Sequence, residues 1–150
     1  MAIFHNQIDV VKALLKAGAD PNIKSNGQDK KPPLFVVQPI SIENDDYTTQ
    51  DLLQLFKLLL QAGADPNCQN GDQEPLLYHV CENDEFPGEV VKILLDAGAD
   101  PNVTDVEGLL PIHNVVSDDI SDDRLLENQQ QKLKYLLEGA LKFPLISLII

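Results

Sequence analysis

Tryptophan is absent and aromatic residues make up only 5% of the 150 residues, which argues against an aromatic-rich sandwich or barrel core. Cysteine is scarce too. Cys68 and Cys81 form no C-x-x-C pair, so they supply neither a disulfide framework nor a zinc ligand set, and two free thiols indicate a reducing, cytoplasmic compartment. Basic residues are few, 11 against 24 acidic ones for a net charge of −13. Such a field repels phosphate backbones and anionic lipid, which argues against nucleic acid as a partner. The apolar run at the C-terminal end, Leu145 to Ile150, is too short to cross a bilayer as a helix, so no membrane anchoring is expected. Met1 to Gln7 lacks the basic and apolar regions of a signal peptide. The motifs G-x-G-x-x-G, Walker A, H-E-x-x-H and G-x-S-x-G are all missing. No catalytic residue, cofactor or metal ligand is therefore assigned, and the chain is not expected to be an enzyme. His79 and Cys81, two apart in an expected helix, do not share a face. The acidic run Asp118 to Asp123 lacks the ligand spacing, central glycine and closing glutamate of an EF-hand loop.

What the chain does have is hydrophobic content, 43% and dominated by leucine, enough to bury a core. It also repeats itself. LLKAGADPN at Leu14 to Asn22 returns as LLQAGADPN at Leu59 to Asn67 and as LLDAGADPN at Leu94 to Asn102. Apolar residues at helical spacing precede each copy: Val10, Val11, Leu14 and Leu15, then Leu55, Phe56, Leu59 and Leu60, then Val90, Val91, Leu94 and Leu95. Each nonamer thus closes an amphipathic helix. Gly18, Gly63 and Gly98 stand where a left-handed cap is wanted, and Pro21, Pro66 and Pro101 prevent the helix from resuming.

These residues resemble the ankyrin repeat, a unit of about 33 residues made of a turn and two antiparallel helices with a T-P-L-H motif at the first helix. Pro33-Leu34-Phe35, Pro75-Leu76-Leu77 and Pro111-Ile112-His113 are read as that motif. On this reading Pro32, Glu74 and Leu110 replace the threonine, so the usual cap is weakened. The resemblance implies an all-α ankyrin-repeat solenoid of stacked helix-turn-helix units with extended β-turn fingers. It also implies that the His113 ring hydrogen-bonds turn backbone. The expected organisation is one domain over residues 1–150: a partial unit 1–22, units 23–67 and 68–102, an irregular final unit 103–140 and an apolar tail 141–150.

The leucine pairs begin at Leu14, Leu59, Leu94 and Leu136, spacings of 45, 35 and 42 residues. The excess over a regular unit falls at about Pro39 to Asp51, Glu82 to Glu89 and Ser117 to Glu127, read as loops between the two helices of each unit. These stretches hold 13 acids and one base. Glu43, Asp45, Asp46, Glu82, Asp84, Glu85, Asp118, Asp119, Asp122 and Asp123 are accordingly expected to form an acidic edge. Per-unit insertions in a solenoid emerge on one face, often used for binding.

By resemblance, the finger residues Lys24, Asn26, Gln69, Asp72, Thr104, Val106, Glu107 and Leu109, together with the inner helices, contact another protein. The functional expectation is a protein–protein interaction module, a scaffold, adaptor or recognition fragment, with the acidic edge drawing a basic segment of its partner. The alternative is an acidic module that responds to calcium or another cation through its inter-helix loops.

Overall fold

Where each nonamer ends, the backbone does what its glycine permits. In the computed structural model, which describes residues 8–39, 48–116 and 123–142, Gly18, Gly63 and Gly98 have φ of +90°, +97° and +98°. That region carries no Cβ penalty for glycine alone. In all three copies the glycine amide donates to the second leucine of the pair and the next alanine amide to the first. Gly63 thus donates to the Leu60 carbonyl at 3.0 Å and Ala64 to that of Leu59 at 3.0 Å. Orphan carbonyls of the last turn are satisfied and the chain leaves the helix in a fixed direction.

The elements in order are α1 (Ile8–Lys16), α2 (Pro33–Val36), α3 (Thr49–Gln61), α4 (Leu76–Glu82), α5 (Gly88–Asp96), α6 (Pro111–Val115) and α7 (Asp123–Lys142). The short helices α2, α4 and α6 each pair with the longer helix that follows, and the longer ones stack α1 on α3 on α5 on α7. No strand occurs among the described residues; a lone bridge joins Gln69 and Pro75. The core runs between the two rows of helices. Leu34, Phe35, Leu55, Phe56, Leu76, Leu77, Val90, Val91 and Leu94 are at most 2% exposed. Phe86, from the α4–α5 connection, packs edge-on against Phe56 with ring centres 6.1 Å apart. Burying one such side chain contributes on the order of 1.5–3 kcal/mol, which is how helices as short as α2 persist.

Two sequence expectations need correction. The second helix-opening motif is displaced by one residue. Pro75 is the N-cap of α4, equivalent to Pro32 and Leu110, and the positive-φ residues Lys30, Gln73 and Gly108 each stand two residues before their cap. The finger's own geometry sets this register, so Pro75, not Glu74, holds the threonine position and Tyr78 holds that of His113. None of the three caps receives a side-chain hydrogen bond of the usual kind; in α6 the His113 Nδ1 instead accepts from the Leu110 amide at 2.9 Å.

The acidic stretches are also less loop-like than expected. Glu82 ends α4, Glu89 lies in α5, and Asp123 and Glu127 belong to α7. Asp51 is in the first turn of α3, where Thr48 and Asp51 close a reciprocal capping box: the Asp51 amide donates to Thr48 Oγ1 at 3.3 Å and the Thr48 amide to Asp51 Oδ2 at 2.9 Å. Ala140 stands where the other layers have their cap glycine, and α7 runs on to Lys142.

Candidate functional site

The fingers begin with the last four residues of the nonamer. Asp20, Asp65 and Asp100 each accept, through Oδ1, the amide of the asparagine two residues on, at 2.8–2.9 Å. Those turns aim the asparagine side chains at the next layer. Asn22 Nδ2 donates to the Gly63 carbonyl at 2.9 Å while its Oδ1 accepts from the Asp65 amide at 2.8 Å. Asn67 repeats both bonds with Gly98 and Asp100, at 3.1 and 2.8 Å. Two rungs of a ladder therefore hold the three fingers at a common spacing. Neighbouring fingers also touch, the Gly71 amide donating to the Asp29 carbonyl at 2.5 Å. A Cβ on Gly71 would stand 2.7 Å from the carbonyl oxygens of Asp29 and Gln28, so no larger residue fits without moving a finger.

Each finger is closed from within. Asn70 Oδ1 accepts the amides of Asp72 and Glu74 at 3.0 Å, and Asp105 Oδ1 accepts those of Glu107 and Leu109 at 2.9 and 2.8 Å. Desolvation is the largest single influence on Asp105 and works to raise its pKa, but the Leu109 amide, the Tyr78 hydroxyl and the amides of Glu107 and Gly108 together outweigh it and hold the carboxyl below its ordinary value. In the first finger Ser25 and Lys31 pair through both backbone and side chain. Lys24, Asn26, Gln69, Asp72, Thr104, Val106, Glu107 and Leu109 are all exposed on these fingers. Val106 is 73% exposed, at the tip of a finger whose backbone is fixed.

Of the expected acidic edge, Glu43, Asp45, Asp46, Asp118, Asp119 and Asp122 lie outside the described residues, and Asp123 is the first residue of α7. Glu82, Asp84 and Glu85 are exposed around the α4–α5 connection. An open groove of about 640 Å³ runs beside it, lined by Thr49, Glu85, Pro87, Glu89, Glu127, Asn128 and Gln131. It brings the starts of α3, α5 and α7 side by side and joins Glu89 and Glu127 to Glu85. The connection is tied down from α7. Asn128 Nδ2 donates to the carbonyls of Asp84 and Phe86, both at 3.0 Å, and its Oδ1 accepts from the Gly88 amide at 2.8 Å.

Lys132, one turn further along α7, is fully buried and donates through Nζ to the carbonyls of Val80 and Asn83 at 3.0 and 2.8 Å. Burial pushes its pKa down. It occupies the position of Leu55 and Val90 in the earlier layers, so an ammonium closes the C-terminal end of α4 where an aliphatic side chain would repeat the pattern. Reading the sequence alone missed Lys132, Asn128, the asparagine rungs and the Thr48 cap. The T-x-x-D pattern of the cap was the one signal that could have been read directly.

Both cysteines are buried, and desolvation raises each thiol to about 12, far from a nucleophilic thiolate at neutral pH. Among the described residues no helix is long and apolar enough to cross a membrane.

Stacked two-helix layers, joined at one edge by hydrogen-bonded fingers and packed on their neighbours, define a helical repeat solenoid. The family model "Ankyrin repeats (3 copies)" matches residues 47–142, and "Ankyrin repeat" matches residues 1–26; the chain belongs to the ankyrin-repeat family. No curated protein matches it. Ankyrin repeats in general mediate protein–protein interaction and are not enzymes.

Proposed function

We propose that the chain is a scaffold- or adaptor-type recognition module that binds another protein with the finger tips and the exposed side of α2, α4 and α6, and steers a basic segment of that partner along the acidic edge. The observation that carries the reading is the rung-locked row of fingers. Rigid backbone with exposed, chemically varied tips presents a binding surface whose ordering cost is already met. Val106 and Leu109 supply apolar contact, and Lys24, Gln69, Asp72 and Glu107 supply polar choice around it. The groove lined by Glu85, Glu89 and Glu127 supports the acidic edge, because charges from two successive layers add there.

Immobilised chain tests this reading. Proteins retained by the wild type are expected to be lost on the Val106→Ser/Leu109→Ser variant and kept on a variant changed at Lys57 and Lys92, which lie on the opposite, outer-helix face. Equal retention on the finger variant would reject the assignment of the fingers. A calcium-responsive module remains the contrasting reading. Calcium at sub-millimolar concentration should leave the melting temperature unchanged if the acidic residues serve partner binding.

A further inference from the structure

We propose that Glu74, His79 and Glu82 form a binding site for a borderline divalent transition metal ion, with Zn²⁺ the best fit, at the base of the second finger. Glu74 closes the finger, and His79 and Glu82 lie three apart on α4 and so share a face. One ligand atom from each comes within 4.8 Å of the other two. His79 Nδ1 is already 3.1 Å from Glu74 Oε1. Donor atoms around a tetrahedral zinc with bonds of about 2.0–2.2 Å stand about 3.3–3.5 Å apart, so one adjustment of the Glu82 side chain, which is exposed, completes a three-ligand set.

The surroundings select which atoms can serve. His79 Nε2 is buried without a hydrogen-bond partner, and the ring lies against Phe35 and Phe86, with centres 5.4 and 6.0 Å away. Nδ1 is therefore the nitrogen that faces the carboxylates. Glu74 Oε2 accepts from Asn70 Nδ2 at 2.8 Å, an outer hydrogen bond that leaves Oε1 directed at His79, as supporting partners of metal ligands commonly do. On binding, the metal takes the place of any proton between Nδ1 and Oε1, and the neutral ring carries its one proton on Nε2. That buried N–H has no acceptor, so affinity falls below that of a dedicated structural zinc site.

An imidazole with two carboxylates suits zinc or its first-row neighbours over Ca²⁺ and Mg²⁺, which prefer all-oxygen sets. The donor set is peculiar to this layer. Counted from the helix caps, its counterparts are Lys31, Val36 and Pro39 in the layer before and Leu109, Asn114 and Ser117 in the layer after.

The test uses Zn²⁺ alone, added to the whole chain and read by thermal unfolding, with Co²⁺ substitution read by visible absorption. Zn²⁺ should raise the melting temperature by several degrees at sub-millimolar concentration while Mg²⁺ and Ca²⁺ do not, and Co²⁺ should give a visible band of low-coordinate N/O ligation. His79→Val installs the residue of the preceding layer and should lose both signals; Glu82→Gln, a change of the same shape at an exposed position, should lose them as well. Absence of a zinc-dependent shift in the wild type, or a full shift in Glu82→Gln or His79→Val, would overturn the site.

Discussion

Single residues decide how the layers are fastened, and the clearest case is Lys132. Its ammonium satisfies carbonyls at the end of α4 that have no helical partner. Replacing it with methionine relieves the burial of a charge but leaves the Val80 carbonyl desolvated and unpaired, and the Asn83 carbonyl with the Phe86 amide alone. The second effect dominates for groups that cannot reach water, so Lys132→Met should cost about 1–3 kcal/mol, measured by denaturant unfolding. No signal in the sequence marked this position, because a lysine in an acidic, amphipathic helix reads as solvated. Only the carbonyls beneath it reveal the role. The off-by-one reading of Pro75 has a similar origin. Proline is common both at an N-cap and at the first helical position, and the choice between them lies with the positive φ of Gln73, which no residue type announces as glycine does at Gly108.

Asp105 gives a pH-dependent counterpart. Its folded pKa is depressed, so the stability it adds is fully present above its unfolded value of about 3.9 and is lost as pH falls through the lower folded value. Asp51 is depressed in the same direction, chiefly by the Thr48 hydroxyl. The melting-temperature gap between wild type and Asp105→Asn should therefore be largest at neutral pH and close below about pH 4. A gap independent of pH would show that the amide replaces the carboxylate equally well.

At the scale of elements, the nonamers behave as their residues demand: helix, left-handed glycine cap, Asx turn, finger. This much was legible because cap and breaker residues act locally. The reason for the conserved spacing of Asp and Asn within the three copies was not, since the asparagine's partners sit in the following layer. That difference yields an internal control. Asn67 makes two bonds to the next layer, whereas among the described residues no rung follows Asn102, because α7 continues as helix through Ala140. Asn67→Ala should cost about 1–3 kcal/mol, two hydrogen bonds at about 0.5–1.5 each. Asn102→Ala should cost less than about 0.5 kcal/mol. Similar losses for both, in the same unfolding experiment, would mean that the ladder contributes nothing beyond the local turns.

Across the whole molecule, the proposed function divides the work of recognition between charge and shape. An exposed ion pair contributes only about 0–1 kcal/mol, yet on the proposed reading the carboxylates gathered beside the α4–α5 connection, on a chain of net charge −13, accelerate encounter with a basic partner. Changing Glu85, Glu89 and Glu127 to glutamine should slow association several-fold at low salt and leave dissociation unchanged. The difference should shrink above about 0.15 M, where the Debye length is about 8 Å. Stopped-flow or surface-based kinetics across a salt series would show it. The acidic bias was plain in the composition, but its geometry was not: the sequence suggested three loops, whereas Glu89 and Glu127 project from helices that the layer stacking sets side by side. Hydrogen exchange of the chain with and without a captured partner tests the central claim most directly. Protection is expected across 23–31, 68–75 and 103–110 and on the inner helices α4 and α6, with α3 and α5 unchanged; protection confined to α3, α5 and α7, with the fingers exchanging as in the free chain, would contradict it.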